Sequence, residues 1–137
     1  KHSPCKIPPE RRTPRDVVVS FINVMYAFEK GLRKWNEAGY PHPLAMQLCA
    51  KITEDLCVPG STVNSFGNPP QYDPKKEDPQ QTDSSPDETE VSFSTEVKDH
   101  FQTKHKFVVR KLDGVWKLAE VWSVLEGGFS DDPDRIL

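Results

Sequence analysis

The sequence predicts an α+β domain in which long N-terminal helices pack on an antiparallel sheet, and three observations carry that prediction. Apolar residues recur at three- and four-residue steps between Val18 and Trp35, the period changes to two after Glu90, and Asp113-Gly114 separates two apolar runs as a two-residue hairpin turn. A chain of 137 residues has the size of one domain with one core.

Lys1 to Arg12 contains Pro4, Pro8 and Pro9 with several charges and no apolar period, and reads as an extended arm that adds little to the core. Thr13, Pro14 and Asp16 mark a helix start: a hydroxyl N-cap, proline at the first helical position and a carboxylate near the positive end of the dipole. Val18, Phe21, Ile22, Met25, Phe28, Leu32 and Trp35 form the buried stripe, and Asn23, Ala27, Lys30 and Lys34 mark the opposite side. Glu29 and Arg33 suit an i,i+4 pair on the wet flank. Gly39 and Pro41 stop this helix after about six turns.

A second helix is expected from His42 or Pro43 to Leu56, with Leu44, Ala45, Leu48, Cys49, Ile52 and Leu56 on its apolar side and Val58-Pro59-Gly60 as its end. Residues 59–89 carry six of the thirteen prolines and read as a Pro-rich acidic insertion, with Phe66 and Tyr72 pinned to the core and the part after Asp73 mobile. The organisation is thus an arm over residues 1–12 and a single domain over 13–137 with its insertion at about 59–89.

Val91, Phe93, Thr95 and Val97 alternate as a half-buried strand. In the hairpin, Leu112 is expected opposite Val115, Val109 opposite Leu118 and His105 opposite Trp122. Phe107, Val109, Trp116, Leu118, Trp122 and Val124 then share the face that covers the first helix. The other face combines Arg110 and Lys117 with Val108, Leu112, Val115, Ala119 and Val121. It is apolar enough to need a cover, either another element or a second copy in a homodimer.

The net charge of −3 and pI near 5.8 leave no broad basic field, which argues against nucleic acid or an anionic membrane surface as partner. No apolar run is long enough to span a membrane, and the first residues, from Lys1, lack the apolar stretch of a secretory signal. Cys5, Cys49 and Cys57 are odd in number, and on one helix the last two would stand about 12 Å apart, so free thiols are expected. A cytoplasmic location fits this usage best, with the periplasm as the alternative.

Few residues carry a chemical pattern. Glu120 is the one carboxylate that the hairpin register places beside Trp116, Leu118 and Trp122, which makes it a candidate general base. No second acid, base or oxyanion donor can be assigned with it. His100 and His105, and His2 with Cys5, match no closed zinc spacing, and they read as surface or strand residues; neither metal nor cofactor is expected. The seven carboxylates Asp73, Glu77, Asp78, Asp83, Asp87, Glu88 and Glu90 face only Lys75 and Lys76. They form either a solvated loop or a surface complementary to a basic partner.

Three segments together resemble a known family. They are Val17-Val-Val-Ser-Phe-Ile-Asn-Val-Met-Tyr-Ala-Phe-Glu29, the loop Ser65-Phe-Gly-Asn-Pro-Pro-Gln-Tyr-Asp-Pro74, and Gly114-Val-Trp-Lys-Leu with the later Trp122 and Gly127-Gly128. They resemble the nuclear transport factor 2-fold immunity proteins of bacterial polymorphic toxin systems. The resemblance covers most of residues 14 to 137, and the Pro-Pro-x-Tyr-Asp stretch is its most specific part. The acidic insertion after Asp73 and the His42-to-Val58 segment depart from the family pattern, so partner specificity does not carry over.

The resemblance implies a nuclear transport factor 2-like cone, with N-terminal helices packed on a curved antiparallel sheet, that binds and neutralises a cognate protein toxin without catalysis. Partner-binding residues would then be Phe66, Asn68, Tyr72, Asp73, Glu77 and Asp78. The same scaffold hosts isomerase- or dehydratase-type enzymes and small-molecule carriers. For those, the pocket would be formed by Tyr26, Trp116, Glu120 and Trp122.

Overall fold

In the computed structural model, which describes residues 6–37, 43–63, 72–96, 103–125, 134, 135 and 137, helix α1 spans Pro14–Glu37 and starts where the cap predicts. The Asp16 N–H donates to Thr13 Oγ1 (3.1 Å) and the Thr13 N–H to Asp16 Oδ2 (2.9 Å). This reciprocal box satisfies backbone donors that a helix start otherwise leaves open. Val17, Val18, Phe21, Ile22, Met25, Phe28 and Leu32 are all buried. Glu29, expected on the wet flank, is only 2 % exposed. Its charge reaches both Cys49 and Tyr72, so that flank is covered by a second helix and a loop.

Helix α2, Pro43–Leu56, buries Ala45, Cys49, Ile52 and Leu56. Leu44 and Leu48, expected on the same side, are 55 % and 42 % exposed: the contact with the rest of the core is a narrow seam, and these two leucines fall outside it. The helix ends on two cations. Arg12 Nη1 (3.0 Å) and Lys117 Nζ (2.8 Å) both donate to the Asp55 carbonyl, and Arg12 Nη2 meets Asp55 Oδ1 at 2.9 Å. Positive charge at the carbonyl end of a helix is favourable. The N-terminal arm therefore contributes more than its composition suggested: after a single 3-10 turn at Pro9–Arg11, Arg12 is buried and also donates from Nε to the Ile7 carbonyl (2.8 Å).

The sheet is an antiparallel meander in the order β1 (Gln80–Ser84), β2 (Glu90–Glu96), β3 (Thr103–Leu112), β4 (Val115–Leu125) and β5 (Asp134–Arg135). The fold class is α+β, as predicted. Asp113 and Gly114 have φ of 51° and 80°, the left-handed pair that lets a two-residue turn follow the strand twist. Leu112 pairs with Val115 and Val109 with Leu118, again as predicted.

One residue further the ladder slips. Val108 pairs with Glu120, which leaves Ala119 as a β-bulge, so that His105 faces Ser123 and Lys106 faces Trp122. An extra residue in one strand exchanges the faces of everything beyond it. The covered face of β4 therefore continues through Leu118 and Val121, which pair with Val109 and Phe107, and those in turn face Val91 and Phe93 of β2. Trp122 and Glu120 lie on the opposite face, against expectation. Val121, expected outside, is fully buried.

The bulge is also a docking point. The Val58 N–H donates to the Leu118 carbonyl (2.9 Å) and Cys57 forms a parallel bridge to Leu118, so the chain leaving α2 covers that part of the β4 edge. β5 and the bond from Leu137 N–H to the Val121 carbonyl (3.3 Å) cover the stretch beyond it.

The segment after Asp73, expected to be mobile, contains β1. It pairs with β2 through a bulge between Gln81 and Asp83, and all five of its side chains are exposed. Edge strands need little hydrophobicity because backbone hydrogen bonds to a neighbour define them, which is why a polar segment escaped the alternation test. The β1–β2 turn is organised by Asp87, whose Oδ1 accepts from Ser85 Oγ (2.6 Å) and Thr89 Oγ1 (2.8 Å). These bonds, Ser85 first, hold the Asp87 carboxyl below its usual pKa.

Cys49 and Cys57 are free and buried, as expected. Burial, reinforced by Cys49, pushes the Cys57 thiol from an ordinary value near 9 up to about 12. Between pH 9 and 12 the folded chain thus holds a proton that the unfolded chain has released, so stability must fall as pH rises through that window. The urea midpoint should decline from pH 9 upward, and Cys57→Ala should flatten the decline relative to wild type. Independently, Gly114→Ala places a Cβ in the left-handed region and should cost about 1 kcal/mol, read as a lower urea midpoint.

Candidate functional site

A buried polar cluster joins the loop before β1 to the covered face of the sheet. Asp73 begins a tight turn: its carbonyl accepts from the N–H groups of Lys76 (3.0 Å) and Glu77 (2.9 Å), and its Oδ1 from the Lys75 N–H (2.9 Å). This Asx-type geometry is local to the sequence. It turns Glu77 inward, where Oε2 accepts from the Asp73 N–H (2.9 Å) and Oε1 lies 2.6 Å from both Thr95 Oγ1 and His105 Nδ1.

Period two along β2 and β3 puts Thr95 and His105 on the covered face, directly opposite each other. Tyr72 stacks on the His105 ring at 4.9 Å and meets Phe21 edge-on at 5.5 Å, and Phe107 closes the other side of the imidazole. Both the Glu77 and the His105 side chains are 0 % exposed.

Three donors converge on one carboxylate, which is the arrangement that makes a buried charge tolerable. With Glu77 ionised, His105 donates to it from Nδ1. His105 Nε2 and the Tyr72 hydroxyl have no hydrogen-bond partner among the described residues. Burial, then the charges of Glu29 and Glu77, raises the Tyr72 hydroxyl well above its ordinary pKa. A carboxylate orienting a histidine is also the geometry of a general base. Here, however, the imidazole is sealed beneath Tyr72 and Phe107, with no route by which substrate could reach Nε2.

Outside the cluster lies a cleft of about 790 Å³ between the first turn of α1 and the loop, lined by Arg15, Lys75, Lys76, Asp78 and Gln80 among others. Arg15 Nη2 meets Asp78 Oδ1 at 2.6 Å across it, with both side chains exposed. A smaller cleft of about 300 Å³, floored by Phe93, continues along Pro14 and Gln81.

The residues predicted for partner binding separate into three groups. Phe66 and Asn68 lie outside the described residues. Asp73 is half-buried and Asp78 exposed, positions compatible with contact. Tyr72 and Glu77 are buried, which corrects their assignment: each supports the loop from below. Tyr72 does plug the core, as its aromatic character suggested.

The four predicted pocket residues are not brought together. Glu120 Oε2 accepts from Arg110 Nη2 (3.0 Å) and its Oε1 from Trp122 Nε1 (2.8 Å), while Arg110 Nε also reaches Glu90 (2.7 Å). Glu120 and Trp122 thus belong to a polar ladder across the outer face, placed there by the Ala119 bulge. Trp116 is half-buried on the covered side with Lys111 over its ring, and Tyr26 lies on α1 with Lys30 over its own.

His105, read as a surface or strand residue, lies on β3 with its side chain buried on the covered face. Its two-residue spacing from Phe107 and Val109 was the available signal. Among the described residues no group of three His, Cys, Asp or Glu side chains could hold a metal, and no helix is long and apolar enough to cross a membrane. No protein-family model, curated protein or solved structure matches the chain.

Removing Glu77 leaves two side chains and a backbone N–H without their acceptor. Glu77→Ala should therefore destabilise the fold by about 3 kcal/mol. Glu120→Ala, removing partly exposed surface contacts, should cost less than about 1 kcal/mol. Thermal unfolding of the two variants side by side checks the ranking, which a pocket role for Glu120 would reverse.

Proposed function

We propose that the chain is an immunity protein that binds and neutralises a cognate bacterial toxin domain, on a nuclear transport factor 2-like arrangement of its helices and sheet. The reading is supported chiefly by the Glu77 cluster. It holds the Asp73-to-Glu77 turn against the sheet while Lys75, Lys76 and Asp78 remain exposed. A loop already ordered before docking loses less entropy on binding. Phe66 supplies an aromatic anchor of the kind that dominates interface energies, with Asn68, Asp73 and Asp78 around it. Tyr72 and Glu77 act through the loop they support.

The enzyme and small-molecule readings draw less support. They require an accessible pocket with convergent ionisable groups. Phe21, Tyr72 and Phe107 fill the space between α1 and the sheet, His105 is buried within it, and Glu120 is on the opposite face; in the open cleft that Glu77 and Thr95 also line, the exposed carboxylate of Asp78 is already paired with Arg15.

Co-expression with the C-terminal domain of a large secreted protein encoded beside this chain should restore growth to cells that the domain otherwise kills. Equal killing with and without the chain would sink the proposal. In calorimetry with the purified toxin domain, Phe66→Ala and Asp78→Lys should each weaken binding by about tenfold or more, with the thermal midpoint of the free Asp78→Lys chain little changed.

A further inference from the structure

The geometry points to a two-fold homodimer of this chain, formed by antiparallel pairing of β1 with β1 of a second copy. This surface is the edge of the sheet; it shares Lys75 and Lys76 with the loop proposed to meet a toxin, and its test needs only the free chain. The two edges of the sheet are treated differently. On β4, Val58, β5 and Leu137 all bond to the outward backbone. On β1, no backbone hydrogen bond to the outer edge is made among the described residues.

An unpaired edge is a template for another strand, and lysine, proline, other charges, bulges and short length blunt it. Gln80–Ser84 contains no lysine or proline; Asp83 and the bulge between Gln81 and Asp83 are the blunting features it carries, and Pro79 and Pro86 limit the template to five residues. Its side chains are exposed on both faces, so a neighbouring strand would meet no covering helix.

Charge selects the occupant. The turn leading into β1 displays Lys75 and Lys76, which share a cleft with Gln80 and Arg15. The far end displays Asp83, Asp87 and Glu88. Lys75, Lys76, Asp83, Asp87 and Glu88 make no ion pair among the described residues. Asp78, exposed at the lysine end, is paired with Arg15 at 2.6 Å, so the unpaired charge is positive at one end and negative at the other, over a strand of roughly 13 Å.

A two-fold axis through the middle of β1 runs the second strand in the opposite direction. It sets Lys75 and Lys76 of each copy against Asp83, Asp87 and Glu88 of the other, and it does so twice. Such a surface is self-complementary, as a two-fold interface must be. Parallel pairing would instead bring like charges together at both ends.

Sedimentation equilibrium of the wild-type chain over increasing concentration should show a mass rising toward twice the 15.6 kDa of one chain, with weaker association at high salt. Lys75→Glu with Lys76→Glu, and separately Asp83→Lys with Glu88→Lys, should each give monomers of unchanged circular dichroism. Mixed in equal amounts, the two variants should dimerise again, because each altered end then meets its opposite. A wild-type chain that stays monomeric into the hundreds of micromolar, a dimer indifferent to both charge sets, or a mixture that fails to reassociate would each overturn the proposal.

Discussion

β4 carries one more residue than the segment of β3 it faces, and the bulge at Ala119 that absorbs it decides which half of the sheet becomes core. Before the bulge, the tight turn at Asp113-Gly114 sets the alternation; beyond it, the alternation is exchanged. Val121 therefore continues the apolar face begun by Leu118, opposite Phe107 and Val109, and α1 has a continuous surface to pack on. Without the exchange, Glu120 and Trp122 would face α1, and a carboxylate would be buried without the Arg110 that now partners it. The same irregularity leaves the Leu118 carbonyl to accept Val58, which ties the end of α2 to the sheet. Arg12 and Lys117, both donating to Asp55, secure that junction from two further directions.

The polar cluster at Glu77 is the second centre of organisation. It lies where α1, β2, β3 and the loop before β1 meet, and it spends a buried carboxylate to hold that loop in place. Aromatic rings on either side of His105 exclude water, which strengthens each hydrogen bond to Glu77 and makes any missing one costly. The outcome is a fixed turn on the surface with charged residues at its tip. The cluster's histidine is oriented by Glu77 and buried.

Charge on this chain is arranged by position far more than by total. A net charge of −3 says little, yet the described surface includes a ladder of paired groups on the outer face and exposed charges of opposite sign at the two ends of β1. Glu90, Arg110 and Glu120 offset one another across three strands. Among the described residues one sheet edge is covered and the other is not.

Local physics was readable from the sequence alone. The Thr13-Pro14-Asp16 cap, the apolar stripe of α1, the limits of α2 and the hairpin turn all depend on neighbours within a few residues, and all are found where the pattern puts them. So is the burial of Tyr72 and of the two cysteines, because large or apolar groups have few other places to go. What the sequence could not carry were interactions between distant segments. The Ala119 bulge has no composition signal, since the extra residue is accommodated by the opposite strand. β1 is polar and defined by pairing alone. Glu29, Glu77, His105 and Arg12 look like surface residues until the folded chain supplies their surroundings. For each, burial depends on groups brought together only by tertiary structure, so the candidate site was settled by packing that no short-range pattern encodes.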